Sequence, residues 1–276
     1  MTVHPSLQPY ADAWTHSTDA ISELVGTLVE GEWNRRTDCP GWSVRDIVSH
    51  VIGLECEVLG DPRPIHSLPR DLYHVVDENS RYMEVQVDVR RHHTAPEMTS
   101  ELEYVLIRRA RQIRNEKRTP DTEVRSVLPW EEKTTLEQQY RMRAFDLWVH
   151  EQDLRRTLER PGNLDSPGAH VARDVLVAAL PKVVAKRAQA PRNSAVVFDV
   201  TGEMEFMRTV RVDAEGKGSV NGSVSLGPTV TLTLDWETYL RLACGRARPD
   251  ALADRIKIEG DAALATAVLQ NFAVTP

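Results

Sequence analysis

The 276-residue sequence is poor in cysteine and contains no long hydrophobic run. Its three cysteines, Cys39, Cys56 and Cys244, are odd in number, far apart and never in CxxC spacing. Neither a disulfide framework nor a thiolate zinc site is therefore indicated. No apolar stretch approaches the roughly 20 residues that a membrane span requires, and the first residues lack the pattern of a secretory signal. These features predict a protein of the reducing cytoplasm that does not enter a membrane.

Basic residues are also fewer than acidic ones. The chain has 34 Lys and Arg against 41 Asp and Glu, which gives a formal net charge of −7. A nucleic-acid binder that neutralises phosphates usually has the opposite balance. The one basic run, within residues 108–118, lacks interleaved aromatics, so we interpret it as a solvated helix face. The partner that this composition favours is a small-molecule substrate, and the oligomeric state is not predicted.

The first 160 residues contain apolar side chains at steps of three and four, which is typical of helices with one buried face. Helical tracts are predicted at residues 7–28, 44–58, 73–91, 96–114 and 136–158, of which 73–91 is weakly periodic, and together they indicate a bundle of four main helices. After Pro161, three short tracts rich in β-branched residues, at 195–201, 208–213 and 229–234, are typical of strands. The sequence therefore predicts an α+β protein of two domains, a helical bundle at 1–162 and a small α/β domain at 163–276.

Asp146 and His150 are the residues that most strongly suggest chemistry. They lie four apart on the most clearly patterned helix, so both project from one face beside its buried stripe. His50, at the inward edge of the second predicted helix, is the best third ligand. Two imidazoles and one carboxylate suit Zn²⁺ with a fourth position open, and nickel, cobalt and iron are alternatives. On spacing alone, a simple hydrogen-bonded Asp–His pair is the commoner explanation.

Two motifs in the helical half resemble a known family. The string CPGWSVRDIVSH at 39–50 resembles the first signature of the mycothiol-dependent maleylpyruvate isomerase family, and RAFDLWVHEQDLR at 143–155 resembles its second. Both occur in the family's order and at about its separation. The family is part of the wider DinB-like group of metal-binding bundles, so the resemblance implies that fold for the first 160 residues.

The resemblance also implies a site. By the family's pattern, His50, Asp146 and His150 hold a divalent metal, most commonly zinc, and mycothiol is the thiol cosubstrate. The acidic ligand is commonly Glu in the isomerase, whereas here it is Asp146, one methylene shorter. The string IKIEGDAAL at 256–264 resembles a sterol-carrier-protein-like α/β domain. An arginine of that domain contributes to the isomerase's active site, and Arg246 is its candidate catalytic counterpart or, equally well, a cation at a helix C-terminus.

Several neighbours of these residues have two interpretations each. Asp153 is either the carboxylate partner of His150 or an ordinary surface charge. For Trp42, Trp130 and Trp148 we favour core positions over the mouth of a pocket. Trp148 lies two residues from each ligand on its helix, so its ring is expected to point away from the metal and to pack.

The function that these features favour is a metal-dependent, mycothiol-using enzyme, either a cis–trans isomerase or an S-transferase. The metal would hold the thiol as its reactive thiolate. An alternative is a non-catalytic protein that binds a small molecule or lipid and whose metal site is structural or lost. A weaker alternative is a hydrolase that uses metal-bound water. Nothing in the sequence selects the substrate.

Overall fold

The computed structural model describes residues 3–128, 130–221 and 227–275. The chain divides into two compact units between Val171 and Ala172, within α7 (Pro167–Pro181). We call residues up to Val171 the helical unit and the remainder the sheet unit. The domain limits expected from the sequence, 1–162 and 163–276, remain a prediction. None of the described helices has the length and apolarity needed to cross a bilayer.

Before α7, the described residues of the helical unit form six helices and one small hairpin. In chain order these are α1 (Gln8–Val25), α2 (Glu30–Trp33), α3 (Val44–Leu59), α4 (Glu78–Asp88), α5 (Ala95–Arg114), β1 (Glu123–Arg125), β2 (Lys133–Thr135) and α6 (Leu136–Thr157). The four long helices pack pairwise, α1 on α5 and α6, and α3 on α5 and α6. Their inward faces form one apolar core with Leu7, Ile21, Ile47, Met98 and Leu147 among its buried members. This ring of helices has the form expected from the apolar spacing.

The two helices that carry the predicted ligands have well-defined starts. The Ser43 hydroxyl accepts the backbone N–H of Asp46, and the Asp46 carboxylate in turn accepts the Ser43 N–H at 2.8 Å, a capping box that begins α3. Thr135 caps α6 in the same way by accepting the N–H of Gln138. At its other end α3 stops at Gly60, whose φ of 86° is the left-handed conformation that glycine adopts most readily. His50 therefore lies near the middle of α3 at a fixed helical phase.

The sheet unit contains a five-stranded mixed sheet with the order β5-β4-β3-β6-β7. Its elements are a π-helical turn (Lys182–Arg187), β3 (Ala195–Thr201), β4 (Phe206–Val212), β5 (Gly218–Asn221), β6 (Val230–Asp235), α8 (Trp236–Ala243), a 3₁₀ segment (Pro249–Arg255), β7 (Ile256–Gly260) and α9 (Ala262–Gln270). Only the β3–β6 pair is parallel among the described strands, with Phe198 opposite Leu232. An aromatic cluster that includes Phe198, Tyr239 and Phe272 lies within this unit.

The predicted fold class, a helical region followed by a sheet-containing domain, is confirmed. Two details differ. The tract predicted at 73–91 is helical only over Glu78–Asp88, and the β1–β2 hairpin was not expected. The strands of that hairpin have three residues each, too few to show a period. Pro181 ends α7, and the chain continues as a π-helical turn, because proline cannot donate the next helical hydrogen bond.

Candidate metal centre

The structure brings together the three predicted ligands. His50 on α3 and His150 on α6 are 4 % and 5 % exposed, and their ring centroids lie 4.9 Å apart. Asp146 lies between them: its Oδ2 is 3.5 Å from His50 Nε2, and its Oδ1 is 3.6 Å from His150 Nε2. The candidate ligand atoms all lie within 4.8 Å of one another. The shorter aspartate side chain thus still reaches both imidazoles.

The protonation states favour ligation at neutral pH. Burial lowers the pKa of His50 below its ordinary value of 6.5, although nearby Asp146 opposes this shift. Burial alone would raise the pKa of Asp146, but His150 and Arg143 hold it well below its ordinary value of 3.8. His50 is accordingly a neutral imidazole and Asp146 a carboxylate, which are the forms that bind a cation.

Asp153 fixes the orientation of the His150 ring. Its side chain is fully buried, and its Oδ2 lies 3.2 Å from His150 Nδ1. Because a carboxylate only accepts, Nδ1 is the ring nitrogen that donates to Asp153, and Nε2 is the one that faces Asp146. Asp153 also accepts a hydrogen bond from Arg156 at 2.6 Å and one from the thiol of Cys39 at 3.1 Å. Of the two interpretations given to Asp153, the structure supports the partner of His150.

A buried ion network holds Asp146 from the other side. Arg143, one turn earlier on α6, donates to Asp146 Oδ2 at 2.7 Å and to Glu55 Oε1 at 2.8 Å. Glu55 is fully buried on α3 and also accepts from Arg109 Nε at 3.2 Å. Arg109 is 2 % exposed, so the basic run is not a solvated face at this position. Sequence reasoning missed this network because Glu55 and Arg143 lie 88 residues apart.

Trp42 forms one wall of the centre. Its ring centroid lies 5.0 Å from that of His50 and 6.1 Å from that of His150. Its indole N–H donates to Glu84 at 3.0 Å, and the same carboxylate oxygen lies 2.9 Å from His74 Nε2. Trp42 is half-buried and packs against the apolar core of the helical unit, so the core position favoured for it holds in part. A tryptophan in contact with two candidate ligands is positioned to exclude water from them.

Trp148 and Trp130, the other two tryptophans considered for the pocket, differ in burial. Trp148 is fully buried and donates its indole N–H to the carbonyl oxygen of Asn163 at 3.0 Å. The ring also lies against Gly168, where an added Cβ would come within 2.6 Å of it, so the expected packing role is confirmed. Trp130 is 58 % exposed and is not a core residue.

Arg246 lies in the sheet unit, immediately after α8. Gly245 has a φ of 66°, and the N–H groups of Gly245 and Arg246 bond back to the carbonyls of Leu242 and Arg241. This is the Schellman arrangement that closes a helix C-terminus. The Arg246 guanidinium donates to the Cys244 carbonyl at 2.6 Å, which matches the interpretation as a cation at a helix end. Its catalytic role stays a prediction.

Comparisons with known proteins identify the family. Residues 14–155 match the model of the mycothiol maleylpyruvate isomerase N-terminal domain, and residues 170–267 match that of the C-terminal domain of the same family. The chain belongs to the mycothiol maleylpyruvate isomerase family. This membership confirms the predicted resemblance and the prediction that the chain is an enzyme.

Solved structures share the fold. A crystal structure of mycothiol-dependent maleylpyruvate isomerase matches with a TM-score of 0.57 and 14 % identity, over 94 % of this chain and 96 % of that chain. A histidine-to-alanine mutant isomerase matches over the same shares with a TM-score of 0.59. Sterol Carrier Protein 2 from Yarrowia lipolytica matches over 37 % of this chain and 91 % of that chain, at 19 % identity and with a TM-score of 0.27. A comparison with curated protein sequences finds no match.

The donor set fits a divalent cation. The nitrogen–oxygen separations of 3.5 and 3.6 Å exceed the range of ordinary hydrogen bonds, about 2.7–3.2 Å. They are close to the roughly 3.3 Å that separates ligand atoms bound at about 2.0 Å in a tetrahedral zinc site. Asp146 is 28 % exposed at its side chain, so the carboxylate side of the centre remains accessible.

Proposed function

We propose that this chain is a metal-dependent, mycothiol-using enzyme, either a maleylpyruvate-type cis–trans isomerase or an S-transferase, that acts on a small molecule in the cytoplasm. The observation that carries the proposal is the convergence of two buried imidazoles and one carboxylate, from helices α3 and α6, within 4.8 Å. Zn²⁺ is the cation that suits this donor set best. When bound, it would supply the charge that keeps the cysteine sulfur of mycothiol as thiolate at neutral pH.

The chain's own residues prepare the centre for that cation. Asp153 keeps the proton of His150 on Nδ1, and burial keeps His50 uncharged. Arg143 donates a hydrogen bond to Asp146 Oδ2. This bond holds the carboxylate between the two imidazoles. Such outer hydrogen bonds typically change metal affinity or activity by about 10- to 100-fold when they are removed. The centre is therefore largely preorganised before a ligand enters.

Metal analysis tests the ligand set. Protein purified without added zinc is expected to contain about one metal ion per chain, and H150A is expected to lose it. H92A is the matched control, because His92 is exposed and has no hydrogen bond or ion pair among the described residues. Metal retained in H150A, or lost equally in H92A, would overturn the assignment.

Turnover assays separate the two reactions from each other and from hydrolysis. An isomerase needs mycothiol but returns it, whereas a transferase consumes one thiol per product. A hydrolase that uses metal-bound water would turn over without mycothiol and would exclude the thiol mechanism. The expected result is no turnover without the thiol.

We keep Arg246 as the proposed contact for a substrate carboxylate. Its guanidinium is half-buried and donates to the Cys244 carbonyl, which would hold the side chain in one orientation. The variant R246Q is expected to raise KM for an anionic substrate and to leave metal content unchanged. An unchanged KM would leave Arg246 with its helix-end role alone.

A further inference from the structure

The outer side of α5 carries a line of exposed residues. The inner side of this helix packs Met98, Leu102 and Val105 into the apolar core of the helical unit. On the other side, exposed residues follow one another at alternating steps of three and four. We call this set the outer stripe: Glu97, Ser100, Tyr104, Ile107, Arg111 and Arg114. Such heptad spacing keeps the side chains in line along the whole helix, so the stripe can lie along a second helix.

The middle of the outer stripe is apolar. Tyr104 is 63 % exposed and Ile107 is 67 % exposed, and residues three apart are neighbours on a helix surface. Of the exposed large apolar side chains that the structure describes, only these two lie in a helix. Single exposed apolar residues are normal on a protein surface. Two neighbours on one helix face supply an apolar contact that a partner can cover.

The two ends of the outer stripe carry opposite charges. Glu97 lies in the first turn of α5, and Arg111 and Arg114 lie in the last. Glu97 uses Oε2 to accept the N–H and hydroxyl of Thr94, which leaves Oε1 for another donor. The two arginine side chains make no hydrogen bond or ion pair within the described part of the chain. The helix dipole accounts for charges of these signs at the ends, but not for the apolar pair between them.

We propose that the outer stripe is a homodimer interface, in which α5 packs antiparallel against α5 of a second copy of this chain. The midpoint of the stripe lies halfway between Tyr104 and Ile107. At 1.5 Å per residue, Glu97 and Arg114 lie on either side of that midpoint, each at about 13 Å. A two-fold axis there sets Glu97 of one copy opposite Arg114 of the other, and Tyr104 opposite Ile107. A parallel pair would instead set like charges against each other.

The dimer is expected to be weak and concentration-dependent. One helix face covers less surface than the roughly 800 Å² per partner of a standard interface. Most of the affinity comes from the central apolar contact, because exposed charge pairs contribute little. The charges at the two ends select the antiparallel direction over the parallel one.

Sedimentation equilibrium of the full-length chain tests the interface without reference to metal or activity. The mass is expected to rise from 31.1 kDa towards twice that value as the concentration increases. I107E places a charge at the centre and is expected to raise the dimer dissociation constant about tenfold or more. The matched control is I65E, since Ile65 is fully exposed and lies outside the outer stripe. A mass of 31.1 kDa at every concentration up to the solubility limit, or an I107E that dimerises as I65E does, overturns the proposal.

Reversed charges test the antiparallel direction. R114E sets two carboxylates against each other at both ends of the dimer and is expected to weaken it severalfold. The double variant E97R/R114E restores opposite charges across the interface and is expected to recover most of the lost affinity. It also removes the cap at Thr94, so circular dichroism checks its helix content, and R114E alone decides if it does not fold. A dimer that R114E leaves unchanged, or that the folded double variant does not recover, contradicts the antiparallel pairing.

Discussion

The interiors of the two units differ in charge. Of the residues that the structure describes, every buried Asp, Glu, Arg and His lies in the helical unit, whereas the buried polar residues of the sheet unit are Ser194, Thr209 and Thr238. Burying a charge is costly unless it is paired. The charges paired across α3, α5 and α6 lose their hydration on burial, so they are expected to stabilise the helical unit less than apolar side chains in the same places would. The helical interior surrounds the candidate metal centre with paired charges, and the sheet interior is packed with apolar side chains.

The largest expected effect comes from breaking the buried network of the helical unit. E55Q removes the carboxylate that Arg109 and Arg143 share and leaves two guanidinium groups under-compensated. We expect the free energy of unfolding to fall by about 3–5 kcal/mol and metal affinity to fall with it. Denaturant titration and metal analysis check both. The control E103Q, at an exposed position of α5, is expected to stay within about 0.5 kcal/mol; an E55Q as stable as this control would refute the network.

A core truncation in the sheet unit is expected to affect stability alone. Leu232 on β6 is fully buried and lies opposite Phe198 on the neighbouring strand. L232A is expected to cost about 2–5 kcal/mol through the cavity that it leaves, while folded protein keeps its metal. Metal lost from folded L232A would show that the two interiors are not separable in function.

Helix caps are expected to behave alike in both units. Ser43 caps α3, and Asp261 caps α9 by accepting the N–H groups of Ala263 and Leu264. S43A and D261A are each expected to lower stability by about 0.5–2 kcal/mol, measured by denaturant titration. A much larger cost for S43A would mean that its cap also supports the neighbouring charged interior.

The smallest effect concerns acid stability. Burial opposes ionisation of Glu116, but hydrogen bonds from Arg118 hold its pKa below the ordinary value of 4.5. Burial likewise opposes ionisation of Asp235, but hydrogen bonds from Thr238 hold its pKa below the ordinary value of 3.8. A lowered folded-state pKa contributes stability that is present above the ordinary value and is lost as pH falls below it. E116Q and D235N are each expected to flatten the acid limb of the stability–pH curve. An unchanged limb in both would contradict the pKa directions.

The sequence predicts the convergence of the candidate ligands better than their surroundings. Asp146 and His150 share a helix face by spacing alone, and the phase of His50 follows from the apolar residues around it. Arg143 could have been found, since it lies one turn before Asp146. Glu55 and Cys39 could not, because their partners lie 88 and 114 residues away and nothing local signals such pairs. Trp42 packs against the core as expected, but its contact with the two imidazoles could not be predicted from the sequence.

X-ray absorption spectroscopy at the metal edge of the zinc-loaded protein tests the central claim most directly. The account predicts a first coordination shell of nitrogen and oxygen with two imidazole signatures, of which one disappears in H50A. A shell that contains sulfur, or imidazole scattering that is the same in H50A, would contradict the assignment of His50, Asp146 and His150 as the resident ligands.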